Sequence, residues 1–142
     1  MNQPLHATVA ARWTPGRGWR GVLITGPSGA GKSDLALRLT GHGGWRLVAD
    51  DYAHVFASGG ALYAAPPDAL AGKIEARGVG IRAACALDLV RLVLAVELTG
   101  EAVERLPDAA SRVVAGVTLP VVRLNGLEPS AVQKVTRLTS AL

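Results

Sequence analysis

Short apolar runs broken by glycine-rich or proline-rich turns make up most of this chain, and apolar residues at helical spacing are confined to two stretches. Leu5 to Arg12 alternates loosely and predicts a strand. Thr14-Pro15-Gly16-Arg17-Gly18 predicts a turn, and Gly21-Val22-Leu23-Ile24-Thr25 a second strand, so the chain opens as a hairpin. Asp34 to Leu39 is helix-like and is stopped by Gly41-His42-Gly43-Gly44. Trp45 to Ala49 then reads as a core strand ending in Asp50-Asp51. Tyr52–Ala57 and Ala61–Ala64 flank Ser58-Gly59-Gly60 as a second hairpin, followed by the Pro66-Pro67 loop. The alternating polarity and two glycines of Lys73 to Ile81 predict a strand running into a loop. Val90–Leu98 reads as a buried strand and Thr118–Leu124 as a further one. Val132, Val135 and Leu138, with Pro129 suited to a first turn, predict a terminal amphipathic helix over 128–142. The pattern is that of a sheet-rich α/β domain with few helices.

Size and composition narrow the function classes. A chain of 142 residues, 49% hydrophobic and 18% charged, is expected to form a single folded domain over 1–142. The single cysteine, Cys85, has no internal disulfide partner, which suits a reducing cytoplasm. The N-terminal residues lack the pattern of a secretory signal, and the most apolar segment, 83–98, is interrupted by Asp88 and Arg91, so no membrane span is expected. The formal charge is +4, but the basic residues are dispersed and form no stripe interleaved with aromatics, which argues against nucleic acid.

The strongest chemical signal is Gly26-Pro27-Ser28-Gly29-Ala30-Gly31-Lys32-Ser33, placed between a predicted strand and a predicted helix. That is the order a phosphate-binding P-loop requires. Gly26 and Gly31 permit backbone angles a Cβ would forbid, so successive N–H groups can line a concave anion site. The start of the helix adds unpaired N–H groups and the positive end of its dipole. Lys32 would reach β- and γ-phosphate oxygens, and the Ser33 hydroxyl is placed to ligate Mg²⁺, so the loop predicts binding of magnesium nucleotide.

Asp50 and Asp51 follow the next strand. Adjacent residues on an extended chain point to opposite sides, so the two acids are expected to divide their duties. We read Asp50 as general base and Asp51 as metal-facing, the residues alone leaving that order open. Glu75 and Arg77 project from one face of a predicted strand. Glu75 could complete the acidic metal surroundings and Arg77 could stabilise phosphoryl charge, and an ordinary cross-strand ion pair fits the spacing equally well. His6, His42 and His54 form no metal-ligand cluster with cysteine, and the local sequence around Arg105 is unremarkable for a surface residue.

Taken together, the P-loop, Leu47-Val48-Ala49-Asp50-Asp51 and Ile74-Glu75-Ala76-Arg77-Gly78-Val79-Gly80-Ile81 resemble, in order and spacing, the C-terminal catalytic domain of HPr kinase/phosphorylase. The resemblance is strong over residues 5–107. It implies a P-loop-containing mixed β-sheet like the nucleotide-binding core of phosphoenolpyruvate carboxykinase. It also implies an ATP- and Mg²⁺-dependent kinase of a serine on an HPr-like phosphocarrier, assembled as a homo-oligomer, a hexamer being usual in the family. By position it makes Lys32 and Ser33 the phosphate and metal holders, Asp50 the base, and Asp51 and Glu75 metal surroundings. His6 becomes the support of the catalytic carboxylate, and Arg105 a group near the phosphate. The stretch Leu119–Gly126 lacks groups the family associates with assembly and the reverse reaction, so kinase activity is expected and phosphorylase activity stays open. The alternative is a regulatory module that senses nucleotide or pyrophosphate without efficient turnover.

Overall fold

The computed structural model describes residues 4–67, 73–76, 78–83, 86–103 and 108–142, with backbone only for 73, 75, 76 and 81–83. In chain order the strands are β1 (Leu5–His6), β2 (Thr8–Thr14), β3 (Gly18–Thr25), β4 (Trp45–Ala49), β5 (Tyr52–Ser58), β6 (Ala61–Ala65), β7 (Lys73–Ala76), β8 (Gly80–Ala83), β9 (Val90–Thr99), β10 (Ala110–Val114) and β11 (Val117–Asn125). Helix α1 (Lys32–Thr40) follows β3, and α2 (Ala131–Ala141) closes the chain.

Nine strands share one mixed sheet in the order β1-β5-β6-β9-β3-β2-β4, with β11 also paired to β9 and β10 to β11. The ends of that order are joined by very short connections. Ala7 links β1 to β2, and Asp50-Asp51 link β4 to β5. One or two residues cannot span a flat sheet of this width, so the sheet curls until its two ends meet where Ala7, Asp50 and Asp51 lie.

Alternation along the strands divides the apolar residues between two cores. Val9, Ala11, Leu23, Leu62 and Leu92 pack on the concave side. Val22, Ile24 and Leu94 pack on the other side, under Leu35 and Leu39 of α1 and Val132 and Val135 of α2. Leu92 and Leu94 would share a face in a regular strand. The register shift between Gly21 and Val22 opposite them sends the two to different sides.

Three elements differ from the sequence expectation. The first predicted strand is interrupted at Ala7, because β1 pairs with β5 while β2 pairs with β3 and β4. The strand expected from Lys73 is present as Lys73–Ala76, but the residues from Gly80 onward are not loop, because Gly80–Ala83 pairs back with Lys73–Ala76. β10 has no counterpart in the sequence reading. It is an exposed strand without clean alternation, and its turn to β11 uses Ala115 (φ 48°) and Gly116 (φ 80°), so an alanine occupies a position where asparagine or aspartate would have signalled a hairpin.

Candidate active site

The P-loop leaves the C-terminal end of β3, a strand parallel to β9, which is itself parallel to β11. Ligands of open α/β sheets bind outside such carboxyl ends. Gly31 stands at the N-cap of α1 with φ 97°, and among the described residues no side chain caps the helix start. Those first N–H groups are therefore available to an anion. Lys32 is buried, and its Nζ donates to the carbonyls of Gly26 at 2.8 Å and Pro27 at 3.3 Å, so the ammonium is held across the mouth of its own loop. Ala30 N–H donates to the Pro27 carbonyl at 3.0 Å, which tightens the turn through Ser28 and Gly29.

Ser33, one residue on, donates its hydroxyl to Asp50 Oδ1 at 2.6 Å. The same oxygen accepts from Thr8 Oγ1 at 3.2 Å, and Thr8 Oγ1 accepts the Asp51 N–H at 3.1 Å. β2 lies between β3 and β4, so Thr8 at its first position bridges the P-loop strand and the strand that carries the acids. Thr8 is fully buried. The sequence reading missed it, because a threonine opening a strand has no local mark; only its pairing opposite Ile24, with the next residue Val9 opposite Ala49, places it there.

The two acids do diverge, by a different device from the one expected. Tyr52 N–H donates to the Asp50 carbonyl at 2.8 Å, and Asp51 at the centre of this three-residue turn has φ 69°. Such a turn is strained and is kept only where its surroundings over-determine it. It directs Asp50 towards Ser33 and Asp51 towards His6, whose Nε2 lies 2.7 Å from Asp51 Oδ1. His6 also rests against the Tyr52 ring at a centroid distance of 5.3 Å. His6, the histidine that the family resemblance makes the support of the catalytic carboxylate, pairs with Asp51. β1 reaches only the β5 side of the seam, so its side chain meets the acid that opens β5.

A cleft of about 440 Å³ is lined by His6, Asp51 and Tyr52 together with Ser28, Lys32 and Ser33, whereas Asp50 and Thr8 are buried and are not part of its lining. A larger cavity of about 680 Å³ lies elsewhere, between α2 and the β2–β4 edge, and contains none of them. Among the described residues no three His, Cys, Asp or Glu side chains gather tightly enough to cage a metal alone. Glu75 lies on β7, which packs through Ile74 against Ala36 of α1 and Leu47 of β4, and its side chain lies outside the description. Arg77 and Arg105 lie outside the described residues. No helix among the described residues is long and apolar enough to cross a membrane.

The solved structure titled as the Hpr(Ser) kinase/phosphatase from Coxiella burnetii superposes with a TM-score of 0.79 over 99% of this chain and 100% of that one, at 22% identity, so the fold is the same. An HPr kinase/phosphorylase from Streptococcus pneumoniae is 39% identical over 117 residues, covering 73% of this chain and 37% of that protein. One from Clostridium botulinum is 46% identical over 61 residues, covering 43% of this chain and 20% of its own length. The chain thus spans well under half the length of these curated relatives. The sequence profile described as HPr Serine kinase C-terminal domain matches residues 19–120, which hold the P-loop, both acids and the strands that join them. The chain belongs to the HPr serine kinase C-terminal domain family.

Proposed function

We propose that this chain carries out ATP-dependent phosphorylation of a serine on an HPr-like carrier of the phosphotransferase system. The observation that carries the reading is the 2.6 Å bond from Ser33 to Asp50 beside an uncapped helix start and a buried lysine. It joins a phosphate cradle to an acid, the two parts a phosphoryl transferase needs. Lys32 and the first N–H groups of α1 hold the phosphate tail. Ser33 would hold Mg²⁺ with Asp51 and, as the family resemblance implies, Glu75; the bound ion would neutralise phosphate charge.

In the reaction the serine oxygen bonds to the γ-phosphorus, the bond from that phosphorus to the β–γ bridging oxygen breaks, and ADP leaves. Asp50, the acid nearest the cradle, takes the hydroxyl proton. The His6–Asp51 bond favours a second reading, in which Asp51 accepts the proton and Asp50 serves the metal. Incubation with γ-labelled ATP, Mg²⁺ and an HPr-like carrier tests both. Asp50→Asn is expected to cut transfer by about 100-fold or more while nucleotide binding persists. The same selective loss in Asp51→Asn, with weakened Mg²⁺ dependence in Asp50→Asn, selects the second assignment. Binding without transfer to any HPr-like carrier would instead identify a sensing module. Self-association, which the family resemblance implies, is read from the sedimentation mass.

A further inference from the structure

The phosphate cradle has an apolar neighbour that phosphate itself does not need. Leu127, 68% exposed, and Leu37, 38% exposed, both line the cleft that holds Lys32 and Ser33. A single exposed leucine is ordinary on a protein surface, but two that line the same otherwise polar cleft as a phosphate loop give that cleft an apolar side. Their positions are built. Leu127 follows the end of β11, second of the two parallel strands beyond the P-loop strand, and its Cδ2 lies 3.6 Å from the point where a Cβ on Gly31 would stand. Gly126 is pressed against Ala30 and Leu98, so closely that a Cβ there would lie 2.9 Å from Leu98 Cδ1 and 3.1 Å from the Ala30 carbonyl. The loop is held from both sides. Asn125 Oδ1 accepts the Leu127 N–H at 3.0 Å, and Arg38 of α1 donates to the carbonyls of Gly126 and Glu128. Arg38 is itself aimed by Asp34 at 3.0 Å, one turn earlier on α1.

We infer that Leu37 and Leu127 form the seat of the nucleobase, gripping the apolar face of the base while the P-loop grips the phosphates. The occupant follows from continuity with the cradle: a flat, largely apolar ring tethered to phosphate is what such a ledge beside a P-loop can cover. This inference rests on the nucleotide-binding reading above. Arg38 is a positioning residue here, acting on the base through the 126–128 loop.

The test compares Mg-ATP with Mg-tripolyphosphate, which has the same phosphate tail and no base, by calorimetry on the folded chain. The native protein is expected to bind ATP about tenfold or more tightly than tripolyphosphate, from the apolar area the base would cover. In the Leu37→Ala/Leu127→Ala double variant that preference is expected to fall to about twofold, with tripolyphosphate affinity unchanged. Leu127→Met is expected to keep the preference, since the apolar surface is retained. Arg38→Ala is expected to lower ATP affinity without changing that for tripolyphosphate. A double variant that keeps the full preference for ATP, or a native protein that has none, overturns the seat while leaving the phosphate cradle standing. Failure of the native protein to bind either ligand overturns both readings.

Discussion

Replacing Thr8 by valine tests the joint that holds the acids to the P-loop. The exchange keeps the shape of the side chain and removes one oxygen, so no cavity opens and β-branching is retained. Two bonds go with that oxygen: the donation to Asp50 Oδ1 at 3.2 Å and the acceptance of the Asp51 N–H at 3.1 Å. Thr8 is fully buried, so water cannot take its place. A hydrogen bond to an ionised group contributes about 1.5–3 kcal/mol and a neutral one about 1 kcal/mol, which makes the expected loss about 3 kcal/mol. Urea unfolding reads it as a lowered midpoint at an unchanged slope. Thr8→Ser, which keeps the oxygen, should recover most of the stability. In a double-mutant cycle with Asp50→Asn, the two residues should couple by about 1 kcal/mol or more. Because the Asp51 turn is strained and this oxygen helps hold it, serine phosphorylation should fall in Thr8→Val even at temperatures where the chain remains folded. A loss below about 0.5 kcal/mol, the range of ordinary surface substitutions, would refute the reasoning that Thr8 joins the two halves of the site.

Gly31→Ala places a Cβ at φ 97° in the N-cap of α1, so stability should drop by about 1–2 kcal/mol and Mg-ATP affinity should fall with it, as calorimetry would register. Gly21→Ala meets Val90 Cγ1 at 2.6 Å and the Arg91 carbonyl at 2.9 Å; overpacking should cost about 1–3 kcal/mol in denaturant unfolding and leave Mg-ATP affinity nearly unchanged. Arg20→Met should raise the thermal midpoint, since it removes a buried Nε that has no hydrogen-bond partner among the described residues. Burial, followed by the charges of Arg17 and Arg91, already holds the Arg20 pKa below its ordinary value. Relief of about 1 kcal/mol is expected, and a lowered midpoint would show that the guanidinium contributes more by packing than it costs by burial.

Local signals along the chain sufficed for the parts of this protein whose physics is local. The strand–loop–helix unit around residues 26–33 is one: glycines, a lysine and a serine at fixed spacing mark the end of a strand and the start of a helix, and α1 begins at Lys32 as that spacing requires. Trp45–Ala49 is another, bounded by glycines before it and by paired acids after it. The terminal helix is a third, its apolar stripe at Val132 and Val135 meeting the core. The division between Asp50 and Asp51 was also legible, although the reasoning assumed an extended chain where the backbone makes a tight turn. What could not be read locally was which distant groups stand beside those acids. Thr8 is 42 residues from Asp50 and His6 is 45 from Asp51, and each contact exists only because β1 joins one end of the sheet order and β2 sits near the other. Strand pairing over such separations is set by the closing of the whole curled sheet, which minimises exposed edge and buries two cores at once; no window of neighbouring residues carries that information.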